Sequence, residues 1–373
     1  MKAANVPLRS LILLLAFPVF SLFANCQSQP PPQPQTPSQP ADAQSERSAP
    51  APIRKIKIVG IYFFGHEKDG IDLSRIRAAL PVHAGDEVQI GASPSLRSRV
   101  TEAVQKAQGN PPTDVEFVCC ADTGGAFLYI GIAGRSYRPL KFNLAPTGTM
   151  RLPDSAMALN HDLDAAFAKA IEKGDAGEDD SKGYALNHDP ESRNIQLAIR
   201  EFALKNEPII YDVLSNSSVV EHRRAAAEFL GYASQSQKQI NALVRASRDP
   251  DDAVRNNAVR ALTVLARSSP KVATMIPATP FIDLLNSGTW TDRNKGSAVL
   301  MELTASRNPK LLAELRARAL SALIEMARWD TGHAMWSRYM LGRIAAIPED
   351  QLNNLADEDD QVDKLISAAR NAK

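Results

Sequence analysis

A spacing signature in the second half of the chain constrains its fold more than any other feature. An arginine is followed three residues on by a small residue, and four further on by leucine. It occurs as Arg223/Ala226/Leu230, Arg255/Ala258/Leu262, Arg293/Gly296/Leu300 and Arg316/Ala319/Leu323. Steps of three and four keep every member on one helical face, and a small residue in the middle lets a neighbouring helix approach closely. Helices that each expose one apolar face bury it by stacking on the next. The expected fold is therefore mainly α, with an α-solenoid of helix pairs over 187–349. Arrays of this kind usually bind partners rather than do chemistry.

Local signals place the helices. Asp189-Pro190, Asp249-Pro250 and Asn308-Pro309 each set a capping side chain before a proline, which is a helix start. Between them lie Ala-rich segments: Ile195 to Ala203 with Ile209 to Leu214, Arg223 to Ala233 with Ile240 to Ala246, and Ala253 to Ala266 with Phe281 to Leu285. Arg293 to Thr304 with Leu311 to Arg328 follow, and Trp336 to Ile347 closes the array. The run Asp249-Pro250-Asp251-Asp252-Ala253-Val254-Arg255-Asn256-Asn257-Ala258-Val259-Arg260-Ala261-Leu262 resembles a HEAT repeat of the short bacterial type related to phycobilisome-lyase repeats. Arg223-Arg224-Ala225-Ala226-Ala227-Glu228-Phe229-Leu230-Gly231 matches the same helix. The resemblance implies that the motif arginines are structural, pairing with an aspartate or bonding a carbonyl between repeats. Gly296 stands where the small alanine is expected, which close packing or a kink would explain. Trp329, His333 and Trp336 read as a terminal cap over the last repeat, and 350–373 as a polar tail or helix.

The period changes upstream. Over 53–135 the order is strand (Ile56, Ile58), helix (Ile71 to Leu80), helix (Leu96 to Gln108), strand (Val115, Phe117, Cys119), an Asp122-Thr123-Gly124-Gly125 hairpin and a last strand (Phe127 to Ile132). This small β-α-α-β-β domain resembles the polypeptide-transport-associated (POTRA) domain. The likeness lies in Ile56-Lys57-Ile58-Val59-Gly60, Leu80-Pro81-Val82-His83-Ala84-Gly85-Asp86 and Val115-Glu116-Phe117 before Tyr129-Ile130-Gly131-Ile132. It implies a location outside the cytoplasm and protein partners, often bound by strand addition at a sheet edge. Neighbouring side chains on a strand point to opposite faces, so Cys119 and Cys120 read as one buried and one exposed thiol. The connector, 136–186, holds one helix from Asp154 to about Lys173. It also holds an acidic stretch (Asp175, Glu178, Asp179, Asp180) that reads as a solvated loop rather than a calcium site.

The first 26 residues have a secretory pattern: Lys2 and Arg9, an apolar run from Leu11 to Leu22, then Ala24-Asn25-Cys26. Ala24 and Cys26 are the candidates for cleavage or lipidation, since Leu22 to Cys26 resembles a bacterial lipoprotein box. A Pro/Gln-rich disordered linker occupies 27–52. The chain has 373 residues with Lys plus Arg 43 against Asp plus Glu 42. That balance argues against a protein devoted to nucleic acid or an anionic membrane surface. No phosphate loop, nucleophile elbow or His-Glu-x-x-His motif is present, and His222 and His333 have no neighbouring ligand set.

The expectation is an exported, periplasmic or secreted scaffold or adaptor without catalytic residues, cofactor or metal. It would bind protein partners through the solenoid, and touch a membrane only if the signal is uncleaved or Cys26 is lipidated. An enzyme or enzyme accessory with a site between the two folded parts is the alternative. A structural component of an envelope assembly, docking by its sheet edge, is the third.

Overall fold

The computed structural model describes residues 54–90, 95–119, 125–329, 332–357 and 359–372. The signal and linker, with Ala24 and Cys26, lie outside the described residues, as does Cys120. Cys119 is described only as the last residue of its strand.

The chain builds a small α/β unit first. Its elements are β1 (Arg54–Phe64), α1 (Ser74–Ala79), β2 (Glu87–Ile90), α2 (Leu96–Gln108), β3 (Asp114–Cys119) and β4 (Ala126–Gly131). They form a four-stranded sheet in the order β2-β1-β4-β3. β1 runs parallel to β4, and β2 and β3 are antiparallel to their neighbours. β2 was not expected. The turn at Ala84-Gly85-Asp86 forms, with Gly85 at φ 98° and its N–H on the Ile58 carbonyl at 2.7 Å. That bond sends the chain back along β1. Of Glu87, Val88 and Gln89 only Val88 is buried, too short a pattern to read as a strand.

The sheet is buried on both faces. Ile58, Phe63, Leu128 and Ile130 pack on Ile76, Val100 and Val104 of α1 and α2. Phe64, Phe127 and Tyr129 face the other way and join the core of the helical part.

That part begins with α3 (Asp154–Glu172), followed by a two-rung hairpin of β5 (Glu178–Asp179) and β6 (Leu186–Asn187). Then come α4 (Pro190–Asn216), α5 (Val220–Leu230), α6 (Gln237–Ala246), α7 (Asp252–Ser268), α8 (Pro270–Ala273), α9 (Thr279–Leu284) and α10 (Trp290–Thr304). α11 (Pro309–Ala327), α12 (Gly332–Ile344), α13 (Glu349–Asp357) and α14 (Val362–Asn371) complete it. The segment 350–373 is thus largely helical, with Leu352 and Leu365 buried against Tyr339. α5, α7, α10 and α12 pack one on the next as an inner row, while α6, α9 and α11 alternate with them on the outside. This is a stack of helix pairs, an α-solenoid preceded by a small sheet domain. Among the described residues, no helix is long and apolar enough to cross a membrane.

The proline-linked caps form at two of three places. Asp189 caps α4 through the Ser192 N–H, and Asn308 caps α11. At the third, Asp251 takes the role for α7, because the Asp249 carboxylate is engaged by an arginine. α4 kinks at Asn206, two residues before Pro208. Proline has no N–H to bond the preceding turn. Gly296 is explained by close packing. A Cβ there would stand 3.1 Å from Leu284 Cβ and 3.2 Å from the Phe281 carbonyl oxygen, so α9 rests directly on the α10 backbone.

Candidate functional site

The motif arginines form a buried ladder. Arg223 donates to both oxygens of Asp249 (2.9 and 3.0 Å) and to the Ser217 carbonyl. Arg255 repeats this with Asp292 (2.7 and 2.9 Å) and the Asp249 carbonyl. Arg293 does so with Glu325 (2.8 Å) and the Ser287 carbonyl. Each guanidinium ties a loop of its own repeat to a carboxylate in the next, with both partners nearly sealed from water. Burial raises the Asp292 pKa against the pull of Arg255 and Ser287, and lowers that of Arg293. Ala226, Leu230, Ala258, Leu262 and Leu300 are buried beside their arginines.

The fourth copy departs from this pattern. Ala319 and Leu323 are buried, but Arg316 lies on the outer helix α11 and, among the described residues, reaches only the Arg370 carbonyl at the surface. The inner row continues through α12 instead. There Arg338 bonds the Ala327, Trp329 and Ala356 carbonyls and the Asp359 carboxylate. The spacing Arg-x-x-small-x-x-x-Leu specifies a helical face and does not say which row that face joins.

The inner row is covered by the chain's own N-terminal half. Tyr129 of β4 packs between Trp290 and Trp329, ring centroids 5.1 and 4.9 Å away, and Phe64 stands edge-on to Trp329 at 6.3 Å. His333 lies between Trp290 and Trp336, where burial pushes its pKa down to about 4. Trp329, together with Trp290, therefore receives the sheet, and His333 and Trp336 continue this aromatic group inside the array. Hydrogen bonds complete the seam. The Gly65 and Glu67 N–H groups donate to Glu325 at 2.8 and 2.5 Å, and the Trp290 N–H donates to Asp114 at 2.8 Å. Beside Asp114, Arg97 bonds Glu116 at 2.8 Å. Burial still raises the Glu116 pKa to about 7.

The acidic stretch is not a solvated loop. Glu178 on β5 is almost fully buried against Arg260 of α7 at 2.5 Å, and Asp180 bonds Arg267 at 2.9 Å. Lys295 lies 3% exposed nearby, its pKa pushed down by burial to about 7. Glu178 and Asp180 are thus held by inner-row cations, a pairing that sequence spacing cannot show, while Asp179 accepts from the Ser181 N–H. Among the described residues, no cluster of three or more His, Cys, Asp or Glu could hold a metal. His222 serves the backbone, accepting from the Leu152 N–H at 3.0 Å.

An extended strap, 138–152, runs from the sheet to α3 along one rim of the array. Phe142 lies under the Arg255 guanidinium, 3.8 Å from ring centroid to carbon. Asn143 donates its N–H to the Arg248 carbonyl (2.7 Å) and its side-chain amide to the Arg245 carbonyl (3.1 Å). Gly148 bridges Ser217, and the Ser218 N–H bonds the Gly148 carbonyl. Leu144, between these anchors, is 93% exposed.

The sheet unit and the array do not close completely. A cleft of about 380 Å³ remains between the turn after β1 (Gly65, Lys68), the start of the strap (Ser136, Arg138) and α10–α11 (Arg293, Arg318).

No family model matches the chain, and no curated protein matches it. Among solved structures it is similar to a designed armadillo repeat protein, YIII(Dq.V1)4CPAF, in complex with the peptide (KR)4. The identity is 15% and the TM-score 0.34, over 52% of this chain and 97% of that one.

Proposed function

We propose that the chain is a protein-binding scaffold or adaptor of the bacterial cell envelope, exported by its first 26 residues, spaced from a surface by 27–52, and without chemistry of its own. One observation carries the reading: the rim of the array already holds an extended polypeptide, the strap. The grip is of a peptide-binding kind. A side-chain amide and main-chain N–H groups meet backbone carbonyls, and an aromatic ring stacks on a fixed guanidinium. Because the sheet unit and the β5–β6 hairpin occupy the inner row, partners meet the rim beside the strap, where Leu144 projects.

The test places a photo-crosslinking amino acid at Leu144 of the full mature chain, with a control at the exposed Lys106 of α2, in envelope extract. Saturable adducts of defined mass from position 144 and not from 106 are expected. Absence of protein adducts at 144 overturns the reading. A site between the two folded parts is the second reading, favoured by the cleft. Its walls present cations and hydroxyls, and its carboxylate, Glu325, is saturated by Arg293, Gly65 and Glu67. Such a lining suits holding a ligand better than proton transfer.

A further inference from the structure

The cleft between the sheet unit and the array has an excess of positive charge with donors left over. At its floor Arg293, 3% exposed, uses Nε on the Ser287 carbonyl and Nη1 on Glu325. Its Nη2 has no hydrogen-bond partner among the described residues. A buried guanidinium normally satisfies its donors, so an unused N–H beside an open cavity marks a place for an acceptor. At the rim stand Lys68 and Arg138; among the described residues Lys68 has no carboxylate partner and Arg138 uses only Nη1, on the Arg135 and Tyr137 carbonyls. The Ser136 and Ser321 hydroxyls complete the lining.

The carboxylates nearby are matched by cations except Asp69, which accepts from the Ser136 N–H at 2.8 Å and has no cation partner among the described residues. Glu325 is held by Arg293 and two N–H groups, Glu67 by Arg328 and Arg370, and Asp283 by Arg248 and Arg318. Set against Asp69, Lys68 and Arg138 leave the rim with a net positive charge. A volume of about 380 Å³ lies at the lower end of ligand pockets, roughly 300–1,000 Å³.

We infer that this cleft binds a small polyanion bearing phosphate or several carboxylates, its charge at the Lys68/Arg138 rim and one oxygen on Arg293 Nη2. The net positive charge of the lining favours an anion over a neutral ligand. The closed floor limits the size to a small molecule. The inference stands apart from the rim proposed to meet protein partners.

The experiment is isothermal titration calorimetry of the full mature chain with pyrophosphate and, separately, citrate, at low and at physiological salt. One saturable site per chain is expected, weakening as salt rises because exposed charges are screened. Lys68→Ala with Arg138→Ala should weaken it at least tenfold. Both residues are exposed, so thermal unfolding should stay put. Ala317→Glu, which adds a negative charge to the exposed α11 side of the cleft, should abolish binding. Preference for one probe separates a phosphate from a carboxylate site. No binding of either probe overturns the inference, and so does binding indifferent to these substitutions, which would be an adventitious ion only.

Discussion

Arg255 shows what one ladder position does. Its guanidinium spans from the Asp249 and Pro250 carbonyls to both oxygens of Asp292 and lies on Phe142 of the strap. Removing one partner of a buried pair leaves the other charged and dry, so Arg255→Ala is expected to destabilise by about 3–5 kcal/mol. The double variant with Asp292→Ala should lose clearly less than the sum of the singles, which a double-mutant cycle in urea reads directly. Additive losses would mean the pair is not coupled. Glu116 makes the opposite case, since burial outweighs Arg97. With its folded pKa at about 7 above an ordinary 4.5, the folded chain holds the extra proton between those values. The stability this contributes is present below about pH 4.5 and lost as pH rises through 7. Glu116→Gln should therefore gain thermal stability relative to the parent as pH goes from 4.5 to 8. A flat difference across that range refutes the assignment.

At the scale of elements, the helical segments were legible because periodicity and caps are local. The helices that carry Arg223, Arg255 and Arg293 follow from spacing, and the starts of α4 and α11 from Asp189 and Asn308. What faces what was not legible. Glu178 looked solvated because its partner, Arg260, is 82 residues away, and Arg316 matched the signature on a helix of the wrong row. Arg338, Glu325 and Asn143 gave no local signal at all, since their roles exist only once distant elements meet. Two predictions belong here. Gly296→Val should destabilise by roughly 1–3 kcal/mol, because its branches would push α9 off α10. Chemical denaturation measures this, and an unchanged midpoint would show that the helices yield freely. The strap's far end depends on a neutral His222, whose pKa is lowered by burial and then by Arg151. A depressed histidine stabilises above its free value of about 6.5 and loses that contribution as pH falls through the folded value. Protonating Nδ1 removes the acceptor of the Leu152 N–H. Exchange protection of the Leu152 amide, corrected for its intrinsic rate, should then fall in acid. Protection that stays constant at every acid pH where the chain remains folded would rule out this latch.

For the whole molecule, the seam at Glu325, Trp290 and Trp329 makes sheet and array one cooperative body. Aromatic pairs of this kind contribute about 0.5–1.5 kcal/mol each beyond their burial, and Glu325 adds two main-chain bonds to its arginine. The parent chain should melt in a single calorimetric transition. Trp329→Ala with Glu325→Gln should split it in two, the array remaining helical by circular dichroism; two transitions in the parent would contradict the seam. The same contact has a consequence in time. Gly65 and the Glu325 that receives it are 260 residues apart. A chain emerges from the ribosome at about 5–20 residues per second, so the sheet is complete on the order of tens of seconds before its counterpart is made. Over that interval Tyr62, Phe64, Phe127 and Tyr129 form an uncovered aromatic surface on a finished sheet. Until α10 to α12 are made, that surface has nothing in its own chain to cover it.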